Sequence, residues 1–296
     1  MPCLEQQTHL SIKNILLATD FSKSSESTLP YALGLARRYA STILVVHVIS
    51  PEAEKAIPPE AIRTGFDVAR YFAERAMEGF LGLASFSGVP HEGLLDKGPI
   101  AEAICLMVRN RQIDLVVIGT HDQKLQKFDI GSTTKEILRT VPCSVLIIGP
   151  KVTQTELAKG GLKPIVYVTD VTAGSLRALP YALALAQDHD ARLMLVHVTE
   201  ETTMAPFYYG NSISVGFRKQ LDSLVPAGSG LLCKPEFVLG SGDRAEGVVR
   251  VAANAKASLI VMAARGTPAE AFARLPSLIG GQVVCRAHCP VLTVSG

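Results

Sequence analysis

The chain has 296 residues, 48% of them hydrophobic, and 29 Lys and Arg against 27 Asp and Glu, for a net charge of +2. That length predicts two domains of ordinary size, each apolar enough to bury a core. The near-balanced charge argues against nucleic acid or an anionic membrane as partner, and Arg37-Arg38 and Lys124/Lys127 read as solvated faces.

Taken in chain order, residues 1–7 carry no basic stretch followed by an apolar one, so no secretory signal is expected. Residues 15–19 form a short apolar run, read as a strand. From about 24 to 39 apolar residues recur at Leu29, Leu33 and Ala36 behind a Ser/Glu-rich start, which predicts a helix. Pro30 marks either its first turn or a kink, because proline lacks an N–H and clashes with the preceding turn. Residues 43–48 are apolar, continuous and largely β-branched, as in a buried strand. A long amphipathic helix is predicted over 66–84, a third short strand around Leu94-Leu95, a helix over 100–108, a strand over 115–119, a helix over 133–140 and a fifth strand over 145–148. No apolar run approaches the ~20 residues of a membrane helix, and a cytoplasmic location is expected.

The stretch 13–48, KNILLATDFSKSSESTLPYALGLARRYASTILVVHV, returns without a gap at 163–198 as KPIVYVTDVTAGSLRALPYALALAQDHDARLMLVHV, with fifteen of 36 positions identical. Later segments correspond more weakly: Leu115–Gly119 answers Leu259–Ala263, and 142–146 answers 288–292. A period this long makes each copy a whole domain, expected over 11–150 and 163–296 with a Gly- and Pro-bearing linker between them. Strands and helices alternate and the strands are apolar throughout. Each copy is therefore expected to be α/β and doubly wound, with a five-stranded parallel sheet covered on both faces. Ligands in such sheets bind beyond the C-terminal strand ends.

Asp20 stands at that edge, after Ala18 and Thr19, with Asp170 as its counterpart. Its carboxylate could accept from an adenine amine or a ribose hydroxyl, or could cap the following helix. His47 lies inside an apolar strand and reads first as a satisfied core residue. The backbone of Val48, at the strand end, could meet an adenine edge without any special side chain. Between Gly119 and Thr133 a polar loop leads into Gly131-Ser132-Thr133-Thr134. Helix N-terminal amides attract phosphate, Gly131 permits close approach and the hydroxyls add donors; a plain Gly turn with a Ser/Thr cap is the structural alternative.

Six cysteines form no C-x-x-C pair, which fits free thiols in a reducing compartment. Cys285, His288 and Cys289 are close in sequence, but no second ligand cluster accompanies them, and no metal site is expected. The sequence contains no G-x-x-x-x-G-K-S/T and no G-x-S-x-G, and no catalytic residue is assigned.

The opening ILLATDFS, the strand ending HV, the GTH after the fourth strand and the GS before the last helix give both copies a resemblance to the universal stress protein family. The resemblance implies a doubly wound, Rossmann-like fold and, in nucleotide-binding members, a loop of the form G-x2-G-x9-G-S/T. It places adenine near Asp20 and Val48, ribose near Ala18 and Gly119, and phosphates near His121, Gly131, Ser132 and Thr133, with Thr19 also among the cofactor-binding residues. It further implies a cytoplasmic stress-response module that binds ATP or a related adenine nucleotide, with Mg or Mn where needed, and is not a metabolic enzyme. The two copies would pack as a pseudo-dimer along 145–148 and 291–294, with a homodimer of the tandem chain as a further expectation. Two departures stand in copy one: Asp122 replaces the second glycine, and Gly119 and Gly131 are one residue closer than the motif requires. Copy two has Ala263 for the first glycine and Ser277-Leu278 where Gly131-Ser132 stand, and is expected not to bind. The alternatives are an interaction scaffold without nucleotide and a slow nucleotide hydrolase. Residues 50–65 and 199–212 are read as lids or irregular connections.

Overall fold

A computed structural model describes residues 9–51, 62–120, 130–153, 156–199, 225, 231, 234–264 and 279–295. They form two compact units, one of 11–150 with 157–160, the other of the residues from 161 onward with 9–10, 151–153 and 156. In the first unit the elements are β1 (Asn14–Ala18), α1 (Lys23–Glu26), α2 (Leu29–Tyr39), β2 (Thr42–Ile49), α3 (Ile62–Leu81), β3 (His91–Lys97), α4 (Ile100–Asn110), β4 (Leu115–Gly119), α5 (Ser132–Thr140) and β5 (Ser144–Ile148). In the second they are β6 (Ile165–Val168), α6 (Ala173–Leu176), α7 (Leu179–Asp188), β7 (Leu193–Thr199), β8 (Glu236–Ser241), α8 (Arg244–Asn254), β9 (Leu259–Ala263), α9 (Ile279–Arg286) and β10 (Val291–Val294).

The first sheet runs β3-β2-β1-β4-β5, all parallel. The second runs β8-β7-β6-β9-β10, again all parallel. Each is the expected doubly wound α/β sheet. The winding direction reverses between β1 and β4, and between β6 and β9, which opens a crevice at the C-terminal ends of those strands. Central strands are apolar on both faces because helices cover both. Ile15, Leu16, Leu17, Val116 and Val117 have no exposed surface, and burying each such side chain is worth about 1.5–3 kcal/mol before ordering costs. Strand β3, at the outer end, has no fully buried residue, and its weak apolar signal is why only Leu94-Leu95 was legible.

The predicted helix over 24–39 is two helices. Ser22 caps α1 by accepting from the Ser25 N–H, and α2 begins afresh with Pro30 in its first turn, where the missing N–H costs nothing. Between them the Thr28 hydroxyl bonds back to Ser25 O.

Residues 157–160 lie against the first unit. A Cβ at Gly34, inside α2, would stand within contact distance of the Leu157 carbonyl oxygen and the Gly160 nitrogen. The second copy has Ala184 at this position, buried at 1% exposure. Gly34→Ala should therefore cost about 1–3 kcal/mol, the range for overpacking. Ala184→Gly should cost the ~0.5–1 kcal/mol of a glycine in a helix interior plus about 0.8 kcal/mol for the buried methyl it removes. Urea unfolding of the two variants compares these values.

Candidate functional site

The crevice is built around Thr19. Its N–H still belongs to the sheet, donating to Val46 O at 2.9 Å. Its carbonyl receives a proton from His47 Nδ1 at 2.9 Å; a carbonyl only accepts, so Nδ1 carries the hydrogen. Its hydroxyl joins a directed chain. The Phe21 N–H donates to Thr19 Oγ1 (2.9 Å), Thr19 Oγ1 lies 3.0 Å from Ser25 Oγ, and Ser25 donates to Ser22 O (3.0 Å). Because the Ser25 proton goes to Ser22, the Thr19 hydroxyl is the donor between the two. The chain holds Phe21 at φ +59°, a conformation costly for a side chain of that size, with its ring 4.7 Å from that of His47.

This turn sets Asp20. Its Oδ1 accepts from the Ser22 N–H at 3.0 Å, and the residue is exposed. Asp20 is not the helix cap; Ser22 is. The capping alternative thus falls, because the Ser25 N–H that a cap of α1 would accept goes to the Ser22 hydroxyl. His47 reads as the sequence suggested, a half-buried histidine with a backbone partner.

Backbone parity explains Val48. Successive strand residues direct their N–H and C=O groups to opposite neighbours. The Ile43 N–H donates to Pro90 O and Ile49 O accepts from the Gly98 N–H, both on the β3 side, whereas Val46 O faces β1. Val48 therefore faces the β1 side as well, two residues past the last ladder pair, Ala18 with Val46. The chain has turned away there, so the Val48 backbone borders the crevice.

Across the crevice, Gly131 opens α5 with φ +79° and ψ 150°, backbone suited to glycine. Among the described residues no side chain caps this helix, and its first residues line the cavity. The cavity holds about 390 Å³ and is lined by Ala18, Thr19, Asp20, Val48, Gly119, Gly131, Ser132 and Thr133, with His47 and Ser25. Eight of the nine residues singled out in the sequence thus border one space; the ninth, His121, lies outside the described residues, as do Asp122, Lys124 and Lys127. Ile100, Ile104, Ile118, Ile130 and Ile137 supply an apolar wall that sequence reading missed, because their convergence depends on the packing of α4 against α5. Ser25 was missed too, though Thr19 and Ser25 are both identical in the repeat, as Thr169 and Ser175.

Gly119 has a packing role. A Cβ there would lie 3.0 Å from Thr28 Cγ2 and 3.2 Å from Ser24 O. The second copy has Ala263, and opposite it Ala178 and Gly174 replace Thr28 and Ser24. A methyl has moved from helix to strand, which gives the exchange of Gly119 for Ala263 a packing rationale.

The second unit repeats the frame around Thr169: the Val171 N–H donates to Thr169 Oγ1 (2.9 Å), Thr169 Oγ1 lies 3.0 Å from Ser175 Oγ, and His197 Nδ1 donates to Thr169 O (2.8 Å). Val171 is held at φ +62°. The G-x-G at 240–242 is a strand–helix turn: Asp243 caps α8 by accepting from the Glu246 N–H at 2.8 Å and stands 3.7 Å from Arg286. A carboxylate already fills the place an anion would take. Ser277 and Leu278 lie outside the described residues.

Among the described residues no three metal-binding side chains gather. Burial pushes the Cys289 thiol up to about 12. Burial does the same for Cys143, to about 12, with a smaller contribution from the charge of Asp114.

The model of the universal stress protein family matches residues 11–149 and again 161–295. A solved universal stress protein from Archaeoglobus fulgidus superposes with a TM-score of 0.66 at 18% identity, covering 97% of this chain and 98% of its own. Among curated relatives, a Staphylococcus epidermidis protein carrying the family name is 29% identical over 143 residues, 47% of this chain and 85% of its own length. A Staphylococcus aureus namesake is 28% identical over 166 residues, 55% of this chain and 96% of its own. The fold and crevice define a tandem, doubly wound α/β protein. The chain belongs to the universal stress protein family.

Two outcomes follow from this geometry. Gly119→Ala alone should destabilise the first unit, and Thr28→Ser, which removes the opposing methyl and keeps the hydroxyl, should recover part of the loss. A double-mutant cycle by denaturant unfolding should show favourable coupling of about 0.5–3 kcal/mol. The buried thiols should make stability fall with rising pH. Unfolded cysteines release their protons near 9.0 and these two only near 12. The unfolded state therefore binds fewer protons across that window, and stability present below about pH 9 is lost towards 12. Urea unfolding at stepped alkaline pH reads this, and Cys143→Ala/Cys289→Ala should flatten the profile.

Proposed function

We propose that the first unit binds an adenine nucleotide, with ATP as the leading candidate, and works as a nucleotide-dependent regulatory module rather than a metabolic enzyme. The observation that carries this reading is the start of α5, which no side chain among the described residues caps, opening onto the same cavity as Asp20 and Val48. An anion at that end would accept from the Ser132 and Thr133 amides and hydroxyls, helped by the helix dipole. The Asp20 carboxylate suits an amine or a ribose hydroxyl, and the Val48 backbone suits a base edge. Ala18 and Gly119 line the same cavity and would border a ribose, with Thr19 beside them. The isoleucine wall supplies the apolar contact that a planar base needs, and membership of the universal stress protein family supports a role in stress response.

The triphosphate would also meet the 121–129 loop. Asp122 repels phosphate unless a cation intervenes, so Mg or Mn, or the lysines at 124 and 127, would be required, with His121 as a further phosphate contact. Asp122 also favours a second reading, an interaction scaffold that has dispensed with nucleotide.

Calorimetric titration of the full chain with ATP, with and without Mg or Mn, separates the two. Saturable heat is expected with metal. Asp20→Ala should weaken binding about tenfold or more, the worth of a charged hydrogen bond. Gly131→Val should abolish binding, and Asp122→Gly should strengthen it and lessen the metal requirement. No heat under any of these conditions would leave the scaffold reading standing.

A further inference from the structure

The first turn of α5 holds a polar side chain that the protein's own packing leaves unused. Thr134 is 7% exposed, and it lines the cavity. Five threonines are buried among the described residues: Thr19, Thr28, Thr120, Thr134 and Thr169. Four of them engage their hydroxyls inside the protein. Thr19 and Thr169 meet the hydroxyls of Ser25 and Ser175, Thr28 donates to Ser25 O and Thr120 to Ile148 O. The Thr134 hydroxyl has no hydrogen-bond partner among the described residues.

Its surroundings make that choice of residue costly. Ile137, one turn further along the same face of α5, is 3% exposed, Ile104 of α4 has no exposed surface, and both belong to the apolar wall. Valine has the shape of threonine with a methyl in place of the hydroxyl, and suits such a wall better. A hydroxyl there gives up water and regains nothing from the protein. The alignment of 142–146 with 288–292 sets Gly280 opposite Thr134, so the second copy has no hydroxyl at this position. Side chains in a helix lean back towards its N-terminus. Thr134, the third residue of α5, therefore carries its hydroxyl beside the amides of the helix start. Ser132 and Thr133 are exposed, so Thr134 is the buried member of the three.

We propose that Thr134 is the inner phosphate contact of this cavity. Its hydroxyl donates to the phosphate that is esterified to the sugar, and any outer phosphates run past Ser132 and Thr133. A donor held against an anion in a wall that excludes water makes a strong hydrogen bond. This inference rests on the nucleotide reading and adds a distinction between ligands. Every nucleotide with a sugar-linked phosphate engages Thr134, whatever its number of phosphates, and the uncharged nucleoside does not.

Calorimetric titration of the full chain with AMP, ATP and adenosine, the nucleotides with and without Mg or Mn, compares the wild type with Thr134→Val and Thr134→Ser. Thr134→Val should weaken AMP and ATP alike, by about ten- to a hundredfold, the worth of a hydrogen bond to a charged group. Adenosine should be unaffected, and Thr134→Ser, which keeps the hydroxyl, should bind both nucleotides like the wild type. Thr134→Val removes no internal bond, so the ligand-free protein should unfold at the same temperature as the wild type or higher. A fall of about 2–4 °C or more, the scale of a lost internal bond in a domain of this size, overturns the proposal by giving the hydroxyl a structural role. Nucleotide affinities that Thr134→Val leaves intact overturn it too, while the nucleotide reading stands. An equal loss for adenosine and AMP overturns it by moving the hydroxyl to the nucleoside end. A wild type that takes up no nucleotide removes the reading itself, and this proposal with it.

Discussion

At Thr19 the first strand leaves its neighbour, and the three hydrogen-bonding groups of that residue divide the work of the departure. The amide stays in the ladder with Val46, the carbonyl is held by the His47 ring and the hydroxyl directs a chain that ends at Ser22 O. Each bond is worth only about 1 kcal/mol net, yet together they hold Phe21 in left-handed backbone and aim Asp20 along the strand edge. Because β1 stops there, the Val48 backbone borders the crevice and the cavity extends to α5. The same arrangement around Thr169, with a β-branched Val171 in the strained position, shows that the turn depends on this bonding pattern and tolerates different side chains at the strained residue.

The two copies have diverged where helices meet the crevice. Pro99 begins α4 without a side-chain cap, whereas Asp243 caps α8 and stands near Arg286. Among the described residues no side chain caps the first of these helices; the second supplies its own anion. Gly119 with Thr28, against Ala263 with Ala178, preserves volume by moving one methyl. Neither change disturbs the sheet, and both units keep the same doubly wound topology.

Much of this was legible in the sequence. The strands of each sheet announce themselves as short apolar runs because both faces are covered, and the ungapped repeat fixes the duplication. Eight of the nine site residues converge because strand ends and a helix start must share one edge in a doubly wound sheet. What stayed hidden depends on contacts distant in the chain. Ser22 rather than Asp20 caps α1 because the turn at Phe21 shifts the helix start. The isoleucine wall draws on α4, β4, α5 and the residue before Gly131, and Gly34 is explained by Leu157, more than a hundred positions later.

That last contact reaches further than one glycine. The repeats suggest a division near residue 150, but residues 157–160 complete the first unit, and His9 and Leu10 complete the second by bonding Asp188 at 2.6 and 3.1 Å. A fragment ending at 150 would lose Leu157, a side chain 1% exposed, and bare the surface of α2 it covers. A fragment starting at 161 would leave the Asp188 carboxylate, 6% exposed in its side chain, without two of its donors. Sequence homology and structural autonomy therefore have different borders in this molecule, and dissecting it by its repeats would make two halves each missing a piece carried by the other.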